Sequence, residues 1–224
     1  MTRKMTQFKH IIFDFDGTIA DTSHIITATM QATMREMGLE VATTEAIKKV
    51  IGLPLKDCFG NIYQGMNDEE MTRCAETYCR IFDINKDSLT PALFPHVKET
   101  MCYLRRQGVT LSVDSSRSHG SLTELLERND VGQLFSVIVG VDDVDQAKPH
   151  PEGVMRILEA TGTQRETALL VGDMPVDMAM GRNAGIRTCA VTYGNSTKTE
   201  LLESQPDYFI DSFDELLWLE CSLV

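Results

Sequence analysis

No apolar run in this chain of 224 residues approaches the length a membrane helix needs, about 20 residues. The stretch from Met1 to His10 is chemically mixed and holds no apolar signal core, so a cytoplasmic protein without a membrane partner is expected. Paired cysteines are missing too. Cys58, Cys74, Cys79, Cys102, Cys189 and Cys221 form no CxxC motif, and no histidine follows them at zinc-ligand spacing. They read as reduced cysteines that serve as small apolar residues. Positive charge is scarce, with 21 Lys and Arg against 33 Asp and Glu and a net charge of −12. Such a surface repels nucleic acid and anionic lipid. It repels anionic substrates as well, so any phosphate site must gather its cations locally. Internal repeats and low-complexity linkers are absent, and nothing in the sequence points to an oligomeric state.

What is present is an ordinary globular composition, 42% hydrophobic and 24% charged, enough for one core with a small accessory domain. His10-Ile11-Ile12-Phe13 is a short, continuous apolar run, the pattern of a strand buried on both faces of a parallel sheet. Similar runs recur at 109–113, 137–141, 168–171 and 186–191, with helical patterns between them at 97–107, 121–128, 153–160 and 176–183. This alternation predicts βαβ units and an open α/β, Rossmann-like sheet with helices on both faces. From Asp21 to about Thr90 the pattern changes to helical signals alone. The reading is an α/β core over residues 1–20 and 91–224, with a helical cap over residues 21–90.

Asp14 and Asp16 in Phe13-Asp14-Phe15-Asp16-Gly17-Thr18 are two positions apart at the carboxyl end of the first strand, so they can share one face. That end is where ligands bind in open α/β sheets. An acidic Asp-Gly turn is the plainer alternative. It does not explain why a second strand, ending in Val171-Gly172-Asp173-Met174-Pro175-Val176-Asp177, also delivers carboxylates. Helix capping accounts for one of Asp173 and Asp177 but not both. Magnesium prefers oxygen ligands and keeps several waters, so two or three such aspartates suffice to hold it. Lys148, in Ala147-Lys148-Pro149-His150-Pro151-Glu152, sits at a strand-to-helix junction and supplies the missing positive charge. A further strand ends in Ser115 and Ser116, whose hydroxyls can donate to phosphate.

Taken in order, DFDGT, the strand ending at Ser115, Lys148 in AKPHPE, and GDMPVD resemble the four motifs of the haloacid dehalogenase superfamily. The helical insert resembles the cap of its phosphoglycolate phosphatase-like branch. The resemblance implies an enzyme, a phosphoric monoester hydrolase that acts on a small phosphorylated metabolite through a phosphoaspartate. Asp14 is then the nucleophile, Asp16 the general acid and base, Ser115 a phosphate donor, and Lys148 the charge that steadies both. Mg²⁺ is held by Asp14, the Asp16 carbonyl and Asp173, with Asp177 in or beside that shell. Thr18, Ser116, Gly52 and Lys56 are candidate substrate-binding residues, the last two on a cap loop. Asp114, where the family usually has an apolar residue, reads as a solvated strand end, and His24 as a surface residue at a helix end. Ser116 and Arg117 stand where the family often has Asn and Lys. A phosphosugar mutase of the beta-phosphoglucomutase kind and an inorganic pyrophosphatase use nearly the same motifs. A phosphate-binding interaction protein is the non-enzymatic alternative, which intact Asp14, Asp16 and Lys148 argue against. A dehalogenase needs neither Asp16 as an acid nor a metal shell. Asp14→Asn is expected to abolish covalent phosphate labelling of the protein, whereas Asp16→Asn lowers turnover by about 10²–10⁴-fold with labelling retained. Labelling that persists in Asp14→Asn removes Asp14 as the nucleophile.

Overall fold

The computed structural model of the chain describes residues 6–85 and 90–219. Its sheet holds six parallel strands: β1 (His10–Phe13), β4 (Thr110–Asp114), β5 (Val137–Val139), β6 (Ala168–Gly172), β7 (Arg187–Val191) and β8 (Tyr208–Ile210). Their order is β5-β4-β1-β6-β7-β8, which places β1 in the middle with β4 and β6 as neighbours. The chain leaves β1 towards β4 on one side and returns to β6 on the other. The crevice of this α/β sheet therefore opens at the carboxyl end of β1.

Alternation along the strands builds two cores. Ile11 and Phe13 of β1, with Leu169 and Val171 of β6, pack under α5 (Val97–Arg106) and α6 (His119–Arg128). Phe13 also stacks on Phe213, with ring centroids 5.4 Å apart. Ile12, Ala168 and Leu170 face the other way, against α7 (Glu152–Thr161) and α8 (Pro175–Ala184). The helix α9 (Lys198–Glu203) adds Leu201 to a small cluster with Met178 and Ala190. His10 is buried at the start of β1 with Nε2 2.9 Å from Ser112 Oγ and Nδ1 2.9 Å from Thr163 Oγ1. Burial lowers its pKa to about 4, so it is a neutral, hydrogen-bonded core histidine.

Between β1 and α5 lie four helices among the described residues: α1 (Ser23–Glu36), α2 (Thr44–Lys48), α3 (Leu55–Ile62) and α4 (Asp68–Asn85). They close around their own apolar cluster, which includes Ile25, Met30, Met34, Phe59, Tyr78 and Phe82. A separate ladder ties the two ends of this helical segment: β2 (Ala20–Asp21) runs antiparallel to β3 (Ala92–Leu93). The sequence showed no strand from Asp21 to Thr90, and it missed β2, which needs its distant partner to exist. It missed β8 and α9 as well. Residues 86–89, at the end of the expected cap, and Cys221 lie outside the described residues. Among the described cysteines, all unpaired, Cys58, Cys74 and Cys189 are buried as small apolar residues, whereas Cys102 is half-buried and Cys79 is exposed. No helix among the described residues is long and apolar enough to cross a membrane.

Gly181 lets α8 approach the sheet, since a Cβ there would come within 2.3 Å of Thr188 Cγ2. Gly181→Ala is therefore expected to destabilise by about 1–3 kcal/mol, more than helix propensity returns. Thr188→Ser removes the clashing methyl and should recover most of that loss. Urea unfolding of the two single variants and the double variant measures the coupling, and simple additivity excludes this contact as the cause.

Candidate active site

The loop after β1 carries Asp14 and Asp16 into the crevice. It can turn there because Gly17 has φ +87°, and a Cβ on it would lie 2.1 Å from Asp173 Oδ2. Asp14 is buried, and its Oδ1 accepts from Lys148 Nζ at 2.7 Å. Lys148 donates again to Asp177 Oδ1 at 2.9 Å. Asp177 lies in the first turn of α8, where its Oδ2 accepts from the Met174 N–H at 3.1 Å. It thus caps its helix and pairs with Lys148 at once. Burial alone lowers the affinity of Lys148 for its proton, but the Asp14 and Asp177 charges outweigh it and hold the ammonium above its ordinary value.

Asp14, Asp173 and Asp177 bring carboxylate oxygens within 4.8 Å of one another, all buried. Burial raises the pKa of Asp14 well above the usual carboxylate range, with Lys148 opposing and the other aspartates reinforcing the shift. Asp173 is pushed up to about 7 by burial and by Asp177, against the hydrogen bonds it accepts from Asn195. Those bonds come from the Asn195 backbone N–H at 2.6 Å and its side-chain amide at 2.9 Å, both to Oδ2. Asp173 Oδ1 is buried with no hydrogen-bond partner among the described residues. An orphaned carboxylate oxygen beside two more carboxylates is the donor set that a hard divalent cation takes, so these residues fit Mg²⁺.

Asp16 is held differently. Its carboxylate accepts from Arg117 Nε at 2.9 and 2.8 Å and from Nη2 at 2.7 Å, a forked ion pair. It is therefore outside the cluster of Asp14, Asp173 and Asp177. The Asp16 backbone carbonyl faces the Asn195 amide at 3.5 Å. Arg117 lies over the Phe15 ring and, across the crevice, over Phe82 of α4, at 5.9 and 5.6 Å from the ring centroids. The sequence left Arg117 without a role. It missed Asn195 too, although the Tyr193-Gly194-Asn195 turn follows β7 at the same carboxyl edge as the other site residues.

Ser115 follows β4, is buried, and its Oγ accepts from the Arg117 N–H at 3.3 Å. Ser116 Oγ donates to the Gly52 carbonyl at 2.6 Å, which fastens the expected cap loop to the core. Thr18 is buried with no partner for its hydroxyl among the described residues, and its carbonyl accepts from Tyr193 Oη at 3.1 Å. Lys56 is not brought to the site. It makes an exposed ion pair with Asp68 at 2.7 Å, the nearest acid on its own helical unit. His24 is exposed, as expected. Asp114 corrects the sequence reading. It is buried rather than solvated, because Gly153 of α7 lets that helix close over it. Its Oδ2 has no partner among the described residues, and burial raises its pKa to about 6.

A cavity of about 400 Å³ opens from Asp16, Ser116 and Arg117 into the space below α1, α3 and α4. Its walls there are mainly apolar, including Met30, Leu53, Leu55, Tyr78 and Phe82.

Residues 11–191 match the family described as haloacid dehalogenase-like hydrolase. The probable phosphatase IndB of Dickeya dadantii is 33% identical over 209 residues, covering 92% of this chain and 91% of that protein. The pyrophosphatase PpaX of Oceanobacillus iheyensis is 33% identical over 207 residues, covering 92% of this chain and 94% of that protein. Among solved structures, a haloacid dehalogenase-like hydrolase from Bacteroides fragilis superposes with a TM-score of 0.89 at 26% identity, covering 93% of this chain and 99% of that chain.

Asp114 generates a pH dependence of stability. The folded chain keeps the Asp114 proton up to about pH 6, whereas the unfolded chain releases it near 3.8. Between those values the folded state binds more protons, so stability falls as pH rises. Relative to Asp114→Asn, the parent chain should lose roughly 2 kcal/mol between pH 4 and pH 7, with almost no further loss above. Urea unfolding of both proteins across that range, without metal, measures it. Parallel stability curves refute a strained Asp114.

Proposed function

The chain belongs to the haloacid dehalogenase-like hydrolases, and from that premise we propose that it is a Mg²⁺-dependent phosphatase that hydrolyses a small phosphorylated metabolite through a phosphoaspartate on Asp14. The observation that carries this reading is the buried Asp14–Lys148–Asp177 chain beside the partnerless oxygen of Asp173. A structural ion pair needs one carboxylate for one ammonium. Three carboxylates around one lysine are costly in a core unless a cation and an anionic substrate complete them.

Asp14, Asp173 and the Asp16 carbonyl would hold the metal, with Asp177 beside them. When bound, Mg²⁺ supplies positive charge to the phosphoryl oxygens and offsets the repulsion between nucleophile and substrate. The chain's own residues do the rest. Lys148 fixes the Asp14 carboxylate, and its ammonium offsets charge on the transferring group. An Asp14 oxygen forms a bond to phosphorus as the bond to the leaving oxygen breaks, giving an acyl-phosphate. Asp16 gives a proton to that leaving oxygen, then takes one from the water that attacks phosphorus. Inorganic phosphate departs and the Asp14 carboxylate is restored. Ser115 is positioned to donate to a phosphate oxygen. Asp16 must leave the Arg117 fork to do its work. Residues 21–90 then act as a cap whose closure excludes water, with Ser116 and Gly52 as its latch.

Activity on a phosphate monoester is expected to disappear with chelator and return with Mg²⁺, whereas Ca²⁺, which takes more ligands, supports turnover poorly. Asp173→Asn should weaken Mg²⁺ binding measured by calorimetry in the absence of substrate. Full turnover after exhaustive metal removal, or unchanged Mg²⁺ affinity in Asp173→Asn, sinks the proposal.

A further inference from the structure

The cavity between cap and core has a chemistry that narrows the substrate, given the phosphatase reading above. At its catalytic end lie Asp16, Ser116 and Arg117. Away from that end, the wall is mainly apolar and includes Ile26, Met30, Leu53, Leu55, Tyr78 and Phe82, with the hydroxyls of Ser118 and Ser121 among its few polar groups. Arg117 is the one lysine or arginine among the described residues that line it, and its guanidinium is already forked onto Asp16. The remaining charged groups on the lining are both acids. Glu124 is paired with Arg128 at 2.7 Å, and Asp83 is exposed at the rim. Lys56, the nearest cation the sequence offered, is turned to Asp68 and does not line the cavity.

Two consequences follow. A leaving group with its own carboxylate or phosphate would enter a mainly apolar chamber that offers, among the described residues, no cation besides Arg117. Burying such a charge without a partner is costly. An uncharged group with apolar surface meets no such penalty and gains from leaving water. A volume of about 400 Å³ is in the range that small-molecule sites use, and it exceeds the need of a second phosphate or a two-carbon acid.

We infer that the natural substrate is a phosphate monoester of an uncharged, largely apolar alcohol, of about the size of a ring-bearing group, and that esters whose leaving group carries a second anion are discriminated against. Leu53 and Leu55, half-buried at the foot of the expected cap loop, act as specificity residues by keeping the chamber apolar. Inorganic pyrophosphate and phosphoglycolate both fall in the disfavoured class.

A matched pair of substrates tests this without confusion from intrinsic reactivity. Benzyl phosphate and 4-carboxybenzyl phosphate share the same scissile bond and differ by one remote carboxylate. The parent protein should show kcat/KM at least tenfold higher for benzyl phosphate, expressed mainly in KM. It should also prefer benzyl phosphate to pyrophosphate and phosphoglycolate. Leu53→Arg, at a half-buried position that tolerates a long side chain, should shrink or invert the ratio within the matched pair. Equal or reversed preference in the parent, or faster turnover of pyrophosphate or phosphoglycolate, overturns the inference and leaves the phosphatase reading intact. Failure of every ester and of acetyl phosphate to label Asp14 overturns that reading, and the inference with it.

Discussion

One buried ammonium organises this molecule. Lys148 arrives from the β5 side of the sheet, Asp14 from the central strand and Asp177 from the first turn of α8, and the three meet where water does not reach. Each ion loses several kcal/mol of hydration on entering such a place, and only its partners restore it. Removing Lys148 leaves carboxylates buried without compensation, which typically costs about 3–5 kcal/mol. The pairing therefore fixes the relative positions of three elements that are far apart in sequence. It also leaves an imbalance, because Asp173 adds a third carboxylate with one oxygen unpartnered. Burial, reinforced by the neighbouring aspartates, raises the pKa values of both Asp14 and Asp173.

Most of the core was legible from local pattern. Buried parallel strands read as short apolar runs, and the carboxylates stood where those runs stop. What the sequence concealed depends on distant partners. The fork between Asp16 and Arg117 joins residues 101 apart, and neither side chain announces the other. Asp114 looked solvated because a polar residue at a strand end usually is. It is buried because Gly153, 39 positions later, brings α7 down on it. Lys56 was credited with reaching the site by its nearness to Gly52, but an acid on the same unit claimed it first. β8 is three residues long between two aspartates, Asp207 and Asp211, and offers too little periodicity to distinguish it from a turn.

Arg117 deserves a place beside the motif residues for what it connects. One edge of its guanidinium addresses Asp16, and it lies near the Phe82 ring of the helical unit. The neighbouring Ser116 donates to the Gly52 carbonyl of the same unit. Two consecutive residues after β4 therefore touch the helical unit, and one of them holds Asp16, the acid and base of the proposed mechanism. Opening of the crevice alters the surroundings of Asp16 directly, through contacts already present.

The rung formed by Ala20 with Leu93 and Asp21 with Ala92 has a topological meaning. Both passages between core and helices run through it side by side, so the chain enclosed between them begins and ends at one point. The entropy of closing such a loop grows only with the logarithm of its length, and doubling it adds about 0.6 kcal/mol. The core thus scarcely registers how many residues the loop contains or how they are arranged. Four helices can be exchanged for another insert without disturbing the strand ladder of the chemistry-bearing sheet. Under the proposed function, the segment that would choose the substrate is a detachable cassette, clipped to the sheet-bearing body by four residues.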